Sequence, residues 1–519
     1  DGKLPPYKET RFISPKTMDL LSIVPRWTSG YHQNGWEATT VPIFELAFIF
    51  VVVVFLWETY LDFRQYGRIT SSGHIVPPDL KELVAQIDAD TLATLAAKKD
   101  EPEETPKAVD GEEKTPESKE SQPEEKKKPL RDGHMLESLE SDAPKAQSYG
   151  GDKIHFGIVK AIWSFLFDNG LLLVGAMPYM WDVSVLIGEK MGLTYENHEV
   201  LISLIFMGLE FVFSTIMGLP FDVYFQFVLE QKHGFNKQTP GLYLMDQIKS
   251  IALSVVLGGP VLFMVLHIIK WGGTYFFIYV WAALFAVSLF LYTVYPEYIQ
   301  PMFNTYTPLE EGELKTEIFA LADRVKFPLT KLFVVDGSKR SSHSNAYMYG
   351  FGKNKRIVLF DTLIKQMNIA ELVAVLGHEI GHWQFGHTLL NFGIMQVYTV
   401  CAFACFGYFI NASPMYAAFG FVTQPTIIGL TLFSQTVWNV VDKMLSFMLT
   451  LNSRRCEFQA DQYSYKLGHA PALQRGLVKM SVENKSVLDP DPIYSLYHYS
   501  HPPLLQRLRA LQESLKKGA

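Results

Sequence analysis

Long apolar runs, separated by polar segments, recur along most of the chain. Seven of them approach the roughly 20 residues that a helix needs to cross a bilayer, and we expect a membrane-spanning helix in each: 43–57, 165–187, 201–219, 251–269, 275–294, 389–410 and 427–451. The second run is the weakest, because Asp168 and Pro178 interrupt it. The number and length of the runs argue against a soluble protein with buried helices.

Lys and Arg residues collect at alternate ends of these runs. The segments after the first, third, fifth and seventh runs contain them, whereas 411–424 has none. Because basic residues favour the cytosolic side, this alternation predicts a lumenal or external N-terminus and a cytosolic C-terminus. The basic residues within 1–40 favour the opposite orientation. The alternation holds only if the weak second run also crosses.

The polar segments divide the chain further. Residues from about 92 to 151 are rich in Glu, Lys, Pro and Ser, which predicts a disordered charged loop in the cytosol. A segment after the fifth run contains two strand-like pieces, LFVVD at 332–336 and RIVLF at 356–360. We expect an N-terminal lumenal segment (1–40), five spans with the charged loop (41–296), a cytosolic segment with the motif described next (297–386), two spans (387–451) and a cytosolic C-terminal segment (452–519).

Composition agrees with a membrane protein. Of the 519 residues, 48% are hydrophobic and only 19% are charged, against about 25% charged in typical globular chains. The formal net charge of −7 says little about partners, because acidic and basic residues are segregated. We find no nucleic-acid-binding motif and expect no nucleic-acid partner. Three cysteines make neither a disulfide framework nor a cysteine metal site.

The motif HEIGH at 378–382 carries the chemistry. It follows AELVAVLG, a stretch with helical periodicity, so His378 and His382 lie one turn apart on one helix face and can bind one zinc ion. Glu379, beside the first ligand, can act as general base on water. His387 follows His382 by five residues, about 140° around a continuous helix, and is expected to point away.

A catalytic zinc ion usually has three protein ligands and one open position, so a third ligand must come from elsewhere. Neither HExxHxxGxxH nor NxPxxxxDG occurs. The block SRRCEFQAD, after the seventh run, places Glu457 and Asp461 one helical turn apart. We expect Glu457 to bind the metal and Asp461 to accept the second ring N–H of a ligating histidine. The alternative is an exposed acidic pair next to Arg454 and Arg455.

Several motifs together resemble the CAAX prenyl protease 1 family, integral-membrane zinc endopeptidases that trim farnesylated precursors. They are HEIGH, SRRCEFQAD, GSKRSSHSNAYMYGFGKNKRIVLFDTL at 337–363, EQKHGFNKQT around 230–239 and YSHPPLLQRLRAL at 499–511. The resemblance covers most of the chain from the first span onward, without the N-terminal forty or so residues and the charged loop. One departure is Ser464, where the family usually has alanine.

The resemblance implies a fold and further site residues. We expect a mainly α-helical, polytopic membrane protein in which seven helices form a hollow barrel, with a gluzincin-like site for one zinc ion per chain and a small strand element. Asn345 and Ala346 match the edge strand to which an extended substrate adds. His501 matches a catalytic histidine that contacts the oxyanion or substrate, and Arg507 matches its basic companion.

The function implied is proteolytic removal of the C-terminal tripeptide from farnesylated CAAX proteins, with a second, upstream cut left open. The expected partners are this prenylated substrate and membrane lipid. We expect the endoplasmic-reticulum membrane, since Lys516 and Lys517 fit a retrieval signal, and leave the inner nuclear membrane open. Two alternatives remain: a quality-control metalloprotease that degrades misfolded or translocon-stalled proteins, and a non-enzymatic membrane protein with a structural zinc site.

Overall fold

The computed structural model describes residues 43–71, 75–99, 134–350 and 352–518, which are mainly helical. Within them, six helices are long and apolar enough to cross a membrane: Ile43–Ser71, Met135–Leu173, Tyr195–Glu230, Pro240–Trp271, Gly273–Met302 and His387–Phe409. The prediction of a mainly α-helical, polytopic protein is therefore confirmed. The predicted lumenal segment 1–40 lies outside the described residues.

The first half of the chain is mainly helical in its described part. The helices are α1 Ile43–Ser71, α2 Pro78–Lys99, α3 Met135–Leu173, α4 Ala176–Lys190, α5 Tyr195–Tyr224, α6 Pro240–Leu253, α7 Gly259–Trp271 and α8 Phe276–Val294. Short π-helical and 3₁₀ turns extend or join them at Phe225–Glu230, Ser254–Gly258, Gly273–Tyr275, Tyr295–Ile299 and Gln300–Met302.

The second half combines a small sheet with further helices. The strands are β1 Tyr306–Pro308, β2 Leu329–Val335, β3 Ala346–Tyr349 and β4 Lys355–Phe360. The helices are α9 Glu313–Arg324, α10 Asp361–Gln366, α11 Ile369–Gln384, α12 His387–Phe409, α13 Ser413–Ala418, α14 Thr426–Phe433, α15 Asn439–Lys466, α16 Ala470–Glu483, α17 Pro492–His498 and α18 Leu504–Gly518. Short turns lie at Gly337–Lys339 and Ser434–Trp438. The division of the chain into five parts stays a prediction.

The predicted disordered loop 92–151 needs correction at both ends. Helix α2 extends into this range, and α3 already begins at Met135. The start of α3 is ordered because Met135 is buried in the core and because Asp88 of α2 accepts hydrogen bonds from the backbone N–H groups of Met135 and Leu136, at 3.1 and 2.9 Å. The centre of the predicted loop, 100–133, lies outside the described residues.

Two of the predicted spans differ in the structure. The second, predicted at 165–187, is interrupted near Gly175, which takes a left-handed backbone conformation (φ 72°) at the start of α4. The long helix α3 is the candidate for this crossing instead. Pro178 lies in the first turn of α4, where proline is tolerated. The seventh, predicted at 427–451, is helical in α14 and α15, but it is not among the six apolar candidates.

The four strands form one sheet in the order β1-β2-β4-β3. Strand β2 pairs parallel with β4, and β3 pairs antiparallel with β4, so β3 is an edge strand. The strand-like pieces of the sequence correspond to β2 and β4. Strand β1 was missed, because three residues carry too little periodicity to be recognised.

Helices α11 and α15 pack against each other through small residues. A methyl group on Gly381 would lie 3.0 Å from both Ala460 Cα and Tyr463 Cβ, so no side chain fits there without a shift. One turn away, Ser464 donates to the Ala374 carbonyl oxygen at 2.9 Å, which shows how serine fits where alanine is usual. This close contact brings the side chains of the two helices within reach of one another.

Candidate metal centre

Helix α11 is anchored firmly at its N-terminal end. The Asn368 side chain accepts from the Glu371 backbone N–H at 2.9 Å, and the Glu371 carboxylate accepts from the Asn368 N–H at 3.1 Å. Glu371 is completely buried and pairs with Lys479 of α16 at 2.9 Å. Because removing one partner of a buried ion pair is costly, this contact fixes the helix that carries HEIGH against α16.

The two histidines of HEIGH meet Glu457 where α11 packs on α15. His378 Nε2 and His382 Nε2 are 3.2 Å apart. Glu457 places Oε1 3.3 Å from His382 Nε2 and Oε2 3.5 Å from His378 Nε2. Ligand atoms of these three residues lie within 4.8 Å of one another. The structure thus brings together all three side chains that the sequence predicts as metal ligands.

These separations fit a tetrahedral metal site. Ligands about 2.05 Å from zinc at tetrahedral corners are about 3.3 Å apart, close to all three distances. Both Nδ1 atoms have other partners, Asp461 for His378 and His387 for His382, which leaves both Nε2 atoms for a cation. In the described part of the chain, no hydrogen-bond donor is aligned with the buried Oε2 of Glu457. The donor set therefore fits zinc.

The buried groups shift one another's protonation. Burial alone would raise the pKa of Glu457, but contacts with the surrounding histidines hold it well below its usual range. Burial alone would lower the pKa of His378, but its contacts with Asp461 and Glu457 raise it to about 9. Burial also raises the pKa of Glu379. A carboxylate with a raised pKa is a stronger base, as proton abstraction from water requires.

Asp461 connects the metal site to the C-terminal helix. Its Oδ1 lies 2.9 Å from His378 Nδ1. Arg507 of α18 donates from Nε to Oδ2 at 2.9 Å and from Nη2 to Oδ1 at 2.6 Å. The Arg507 side chain is mostly buried, with Nη1 3.5 Å from Glu457 Oε2. Its donors face the carboxylates of the site, and its predicted contact with substrate stays a prediction.

His387 lies closer to the site than its spacing suggested. Helix α11 ends at Gln384, and Gly386 takes a left-handed conformation (φ 66°), so α12 starts in a new direction. The buried His387 ring places Nδ1 2.9 Å from His382 Nδ1 and Nε2 3.0 Å from Gln459 Oε1. The expectation that it points away was wrong because it assumed a continuous helix. The glycine before His387 was the signal of a helix end.

A cavity of about 750 Å³ opens in front of His378 and Glu457. Its wall includes Glu379, His501 and apolar residues of α3 and α16 such as Ile154 and Leu477. The His501 side chain is 67% exposed, and its Nδ1 lies 3.0 Å from Glu457 Oε2. A cavity of this size is large enough for a peptide segment beside the metal site.

The edge strand β3 begins at the wall of the same cavity. Asn345 and Ala346 line it. Ala346 opposes Leu359 of β4, and the Phe360 N–H donates to the Asn345 carbonyl oxygen at 3.1 Å. Because bonded and non-bonded pairs alternate in an antiparallel ladder, the backbone groups of Ala346 face the open edge. An extended peptide in the cavity can therefore add to β3 at this residue.

Comparisons with known proteins cover the same regions. The profile "CAAX prenyl protease N-terminal, five membrane helices" matches residues 135–305, and "Peptidase family M48" matches residues 308–515. The CAAX prenyl protease 1 homolog of Arabidopsis thaliana is 47% identical over 374 residues, 72% of this chain and 88% of the relative. The Homo sapiens homolog is 37% identical over 508 residues, 91% of this chain and 95% of the relative. The chain belongs to the CAAX prenyl protease 1 family.

The fold agrees with membership of the CAAX prenyl protease 1 family. The crystal structure of S. mikatae Ste24p matches with a TM-score of 0.74 at 36% sequence identity, covering 92% of this chain and 100% of that chain. The stretch that matches peptidase family M48 contains both histidines of HEIGH and Glu457. The protein is therefore a multi-pass membrane zinc metalloprotease, and the non-enzymatic alternative is excluded.

Proposed function

We propose that this chain removes the C-terminal tripeptide of farnesylated CAAX proteins with one zinc ion per chain. The observation that carries the proposal is that the three-ligand site and the open edge of β3 share one cavity. The names of its relatives, CAAX prenyl proteases, support the substrate class. The ligands in this proposal are His378, His382 and Glu457.

The remaining site residues divide the chemical work. Bound zinc supplies Lewis-acid activation of water and of the scissile carbonyl. Glu379 accepts a proton from the attacking water and passes it to the leaving amine nitrogen. His501, at the exposed side of the site, donates to the developing oxyanion. Asp461 holds His378 in the tautomer that leaves Nε2 without a proton.

The substrate is aligned by its backbone and by its lipid. Asn345 Oδ1 accepts a hydrogen bond from the Ala346 N–H at 2.8 Å. A carbonyl oxygen of the bound peptide can replace Asn345 as the acceptor of this N–H, and the Asn345 side-chain amide is then free to bond to the substrate. The apolar part of the wall, including Ile154, Leu473 and Leu477, suits a farnesyl chain. A second, upstream cut by the same site forms part of the proposal.

We also place the protein in the endoplasmic-reticulum membrane, with a lumenal N-terminus and a cytosolic C-terminus. The alternation of basic residues between successive loops supports this orientation. The substrate then meets the site from the cytosolic side, where the segment with β3 and α11 is placed.

Cleavage of a farnesylated CAAX peptide by the purified protein tests the proposal, with the released tripeptide followed by mass spectrometry. Wild type should release it, a chelator should stop the reaction, and added zinc should restore it. Glu379→Gln should lower kcat by about 10²- to 10⁴-fold with bound zinc unchanged. Glu317→Gln, at an exposed position of α9, is the matched control and should behave as wild type.

The outcomes separate the proposal from a quality-control protease. A single cut after the farnesylated cysteine supports CAAX processing. Many cuts in unfolded proteins, together with no cleavage of the farnesylated peptide, would favour degradation of misfolded or translocon-stalled chains. Retained activity in Glu379→Gln would remove the general base from the mechanism.

A further inference from the structure

The cavity has a second polar region that the mechanism above does not use. Lys153 of α3 and Lys485, two residues after the end of α16, line it together with Tyr149 and Asn484. We propose that the two lysines bind the free C-terminal carboxylate of the substrate. This inference rests on the proposed function, because only a cut near the C-terminus brings that carboxylate into the cavity.

Two adjacent aromatic rings place the ammonium groups at the same part of the wall. Lys153 Nζ lies 5.0 Å from the centre of the Tyr149 ring, and Lys485 Nζ lies 4.7 Å from the centre of the Phe235 ring. The two ring centroids are 4.8 Å apart. Lys485 also donates to the His233 carbonyl oxygen. These contacts hold two positive charges in one region of the cavity wall.

The backbone of Lys485 is also unusual. Its φ of 48° lies in the left-handed region, which favours glycine or asparagine just after a helix. A lysine at such a position carries a conformational cost. Strained backbone positions of this kind concentrate at functional sites, where the surrounding structure maintains them. We therefore infer that the lysine at this position is kept for its side chain and not for the conformation of the turn.

The separation between the edge strand and the lysines suits a tripeptide. Asn484 Oδ1 accepts from the Ser344 backbone N–H at 3.3 Å, so Lys485 directly follows a residue that touches the start of the strand. From Ala346 back to Ser344 is about 7 Å of extended chain, and a tripeptide extends about 10 Å. A substrate that lies along β3 with its C-terminal end towards Ser344 therefore carries its carboxylate to Lys485.

The charge of the buried Glu230 acts on Lys153, but the Glu230 carboxylate also has partners of its own. Glu230 is buried, accepts from the Tyr149 hydroxyl at 2.6 Å, and places Oε2 3.4 Å from His343 Nε2. The carboxylates that line the cavity, those of Asp62, Glu379 and Glu457, belong to α1 or to the metal site. A carboxylate bound against the two lysines gains charge-assisted hydrogen bonds, which are stronger than those between neutral groups.

Two farnesylated peptides of one sequence test the inference, one with a free C-terminal carboxylate and one amidated, with full-length protein in detergent. Wild type should cleave the free acid with about tenfold higher kcat/KM, mainly through KM, as expected for one charge-assisted contact. In Lys153→Gln and in Lys485→Gln, kcat/KM for the free acid should fall close to the value for the amidated peptide. Lys485→Arg should keep the preference. So should Lys145→Gln, a control in α3 whose exposed lysine pairs with Asp142.

Each result is decisive. Equal cleavage of both peptides by wild type would overturn the carboxylate subsite and leave the proposed function intact. An equal loss on both peptides in the lysine-to-glutamine variants would do the same, since it would indicate a general structural effect. If wild type cleaves neither peptide, the proposed function fails and the subsite fails with it.

Discussion

The ring of His387 connects His382, a proposed metal ligand, to a neighbouring helix. With a cation on His382 Nε2, the proton of that ring sits on Nδ1 and is donated to His387 Nδ1. His387 then carries its proton on Nε2 and donates to Gln459 Oε1. The amide of Gln459 thereby sets the tautomer of both rings, as partners behind metal ligands commonly do.

His387→Ala should lower zinc affinity by about 10- to 100-fold, because His382 loses the acceptor that orients its ring. His387→Asn keeps an acceptor and should lose less. Competition with a chromogenic chelator measures the zinc affinity of both variants. His134→Ala, at an exposed position just before α3, is the control. Equal affinities of His387→Ala and wild type would show that His387 only fills space.

Asp461 contacts both His378, a proposed zinc ligand, and the buried Arg507, so its expected roles in the metal site and in the fold can be tested separately. Asp461→Leu should destabilise the protein by about 3–5 kcal/mol, because Arg507 stays buried without its main partner. Adding Arg507→Met should recover much of the unfolding free energy, but not the zinc affinity, since His378 still lacks its carboxylate. Denaturant unfolding in detergent and metal titration test this pair. Recovery of both properties would contradict the assigned role of Asp461.

Metal binding should be coupled to proton release at His378. Contacts with the two carboxylates outweigh burial and raise its pKa from 6.5 to about 9, so the metal-free protein carries a proton there at pH 7.5. Zinc requires the neutral ring. Affinity should therefore rise about tenfold per pH unit and level off above about pH 9. Calorimetry in buffers of different ionisation enthalpy measures the number of protons released on zinc binding. A zinc affinity that does not change between pH 7 and 9 would refute the coupling.

At the scale of elements, the approach of α11 to α15 controls the geometry of the ligands. Gly381→Ala places a methyl group 3.0 Å from Ala460 Cα, a backbone atom that moves only with its helix. Zinc affinity should fall by about tenfold or more, because overpacking separates ligands carried by different helices. Gly476→Ala in α16 is the control, since its methyl would meet Val375 Cγ2 at an ordinary 3.5 Å. Equal affinity of the Gly381 variant would show that the helices adjust freely.

Features that depend on local spacing were predictable, and those that depend on chain reversal or distant contacts were not. One helical turn separates His378 from His382, and another separates Glu457 from Asp461, so the sequence alone predicts that each pair shares a helix face. The place of His387 depends on a turn that a helical projection ignores. The order at the start of α3 depends on Asp88, which is distant in sequence.

At the scale of the whole molecule, the number of crossings decides the relative position of the two ends. Six apolar helices alone would leave both ends on one side, whereas a seventh crossing by α14 and α15, which are not among the six, would place the ends on opposite sides. We expect a glycosylation acceptor within 1–40 or 411–424 to be modified, and one added after Gly518 to stay unmodified. Modification at both ends of the chain would exclude the seventh crossing.

The proposed zinc ligands lie on either side of α12 and α14 in the sequence. While a ribosome synthesises the chain, HEIGH is made before α12, α14 and α15, so the nascent protein has two histidines and no third ligand. His501 and Arg507 follow later still. We therefore expect the peptidase to be inert throughout its own insertion, and a product of early termination to leave the proteins assembling beside it uncut.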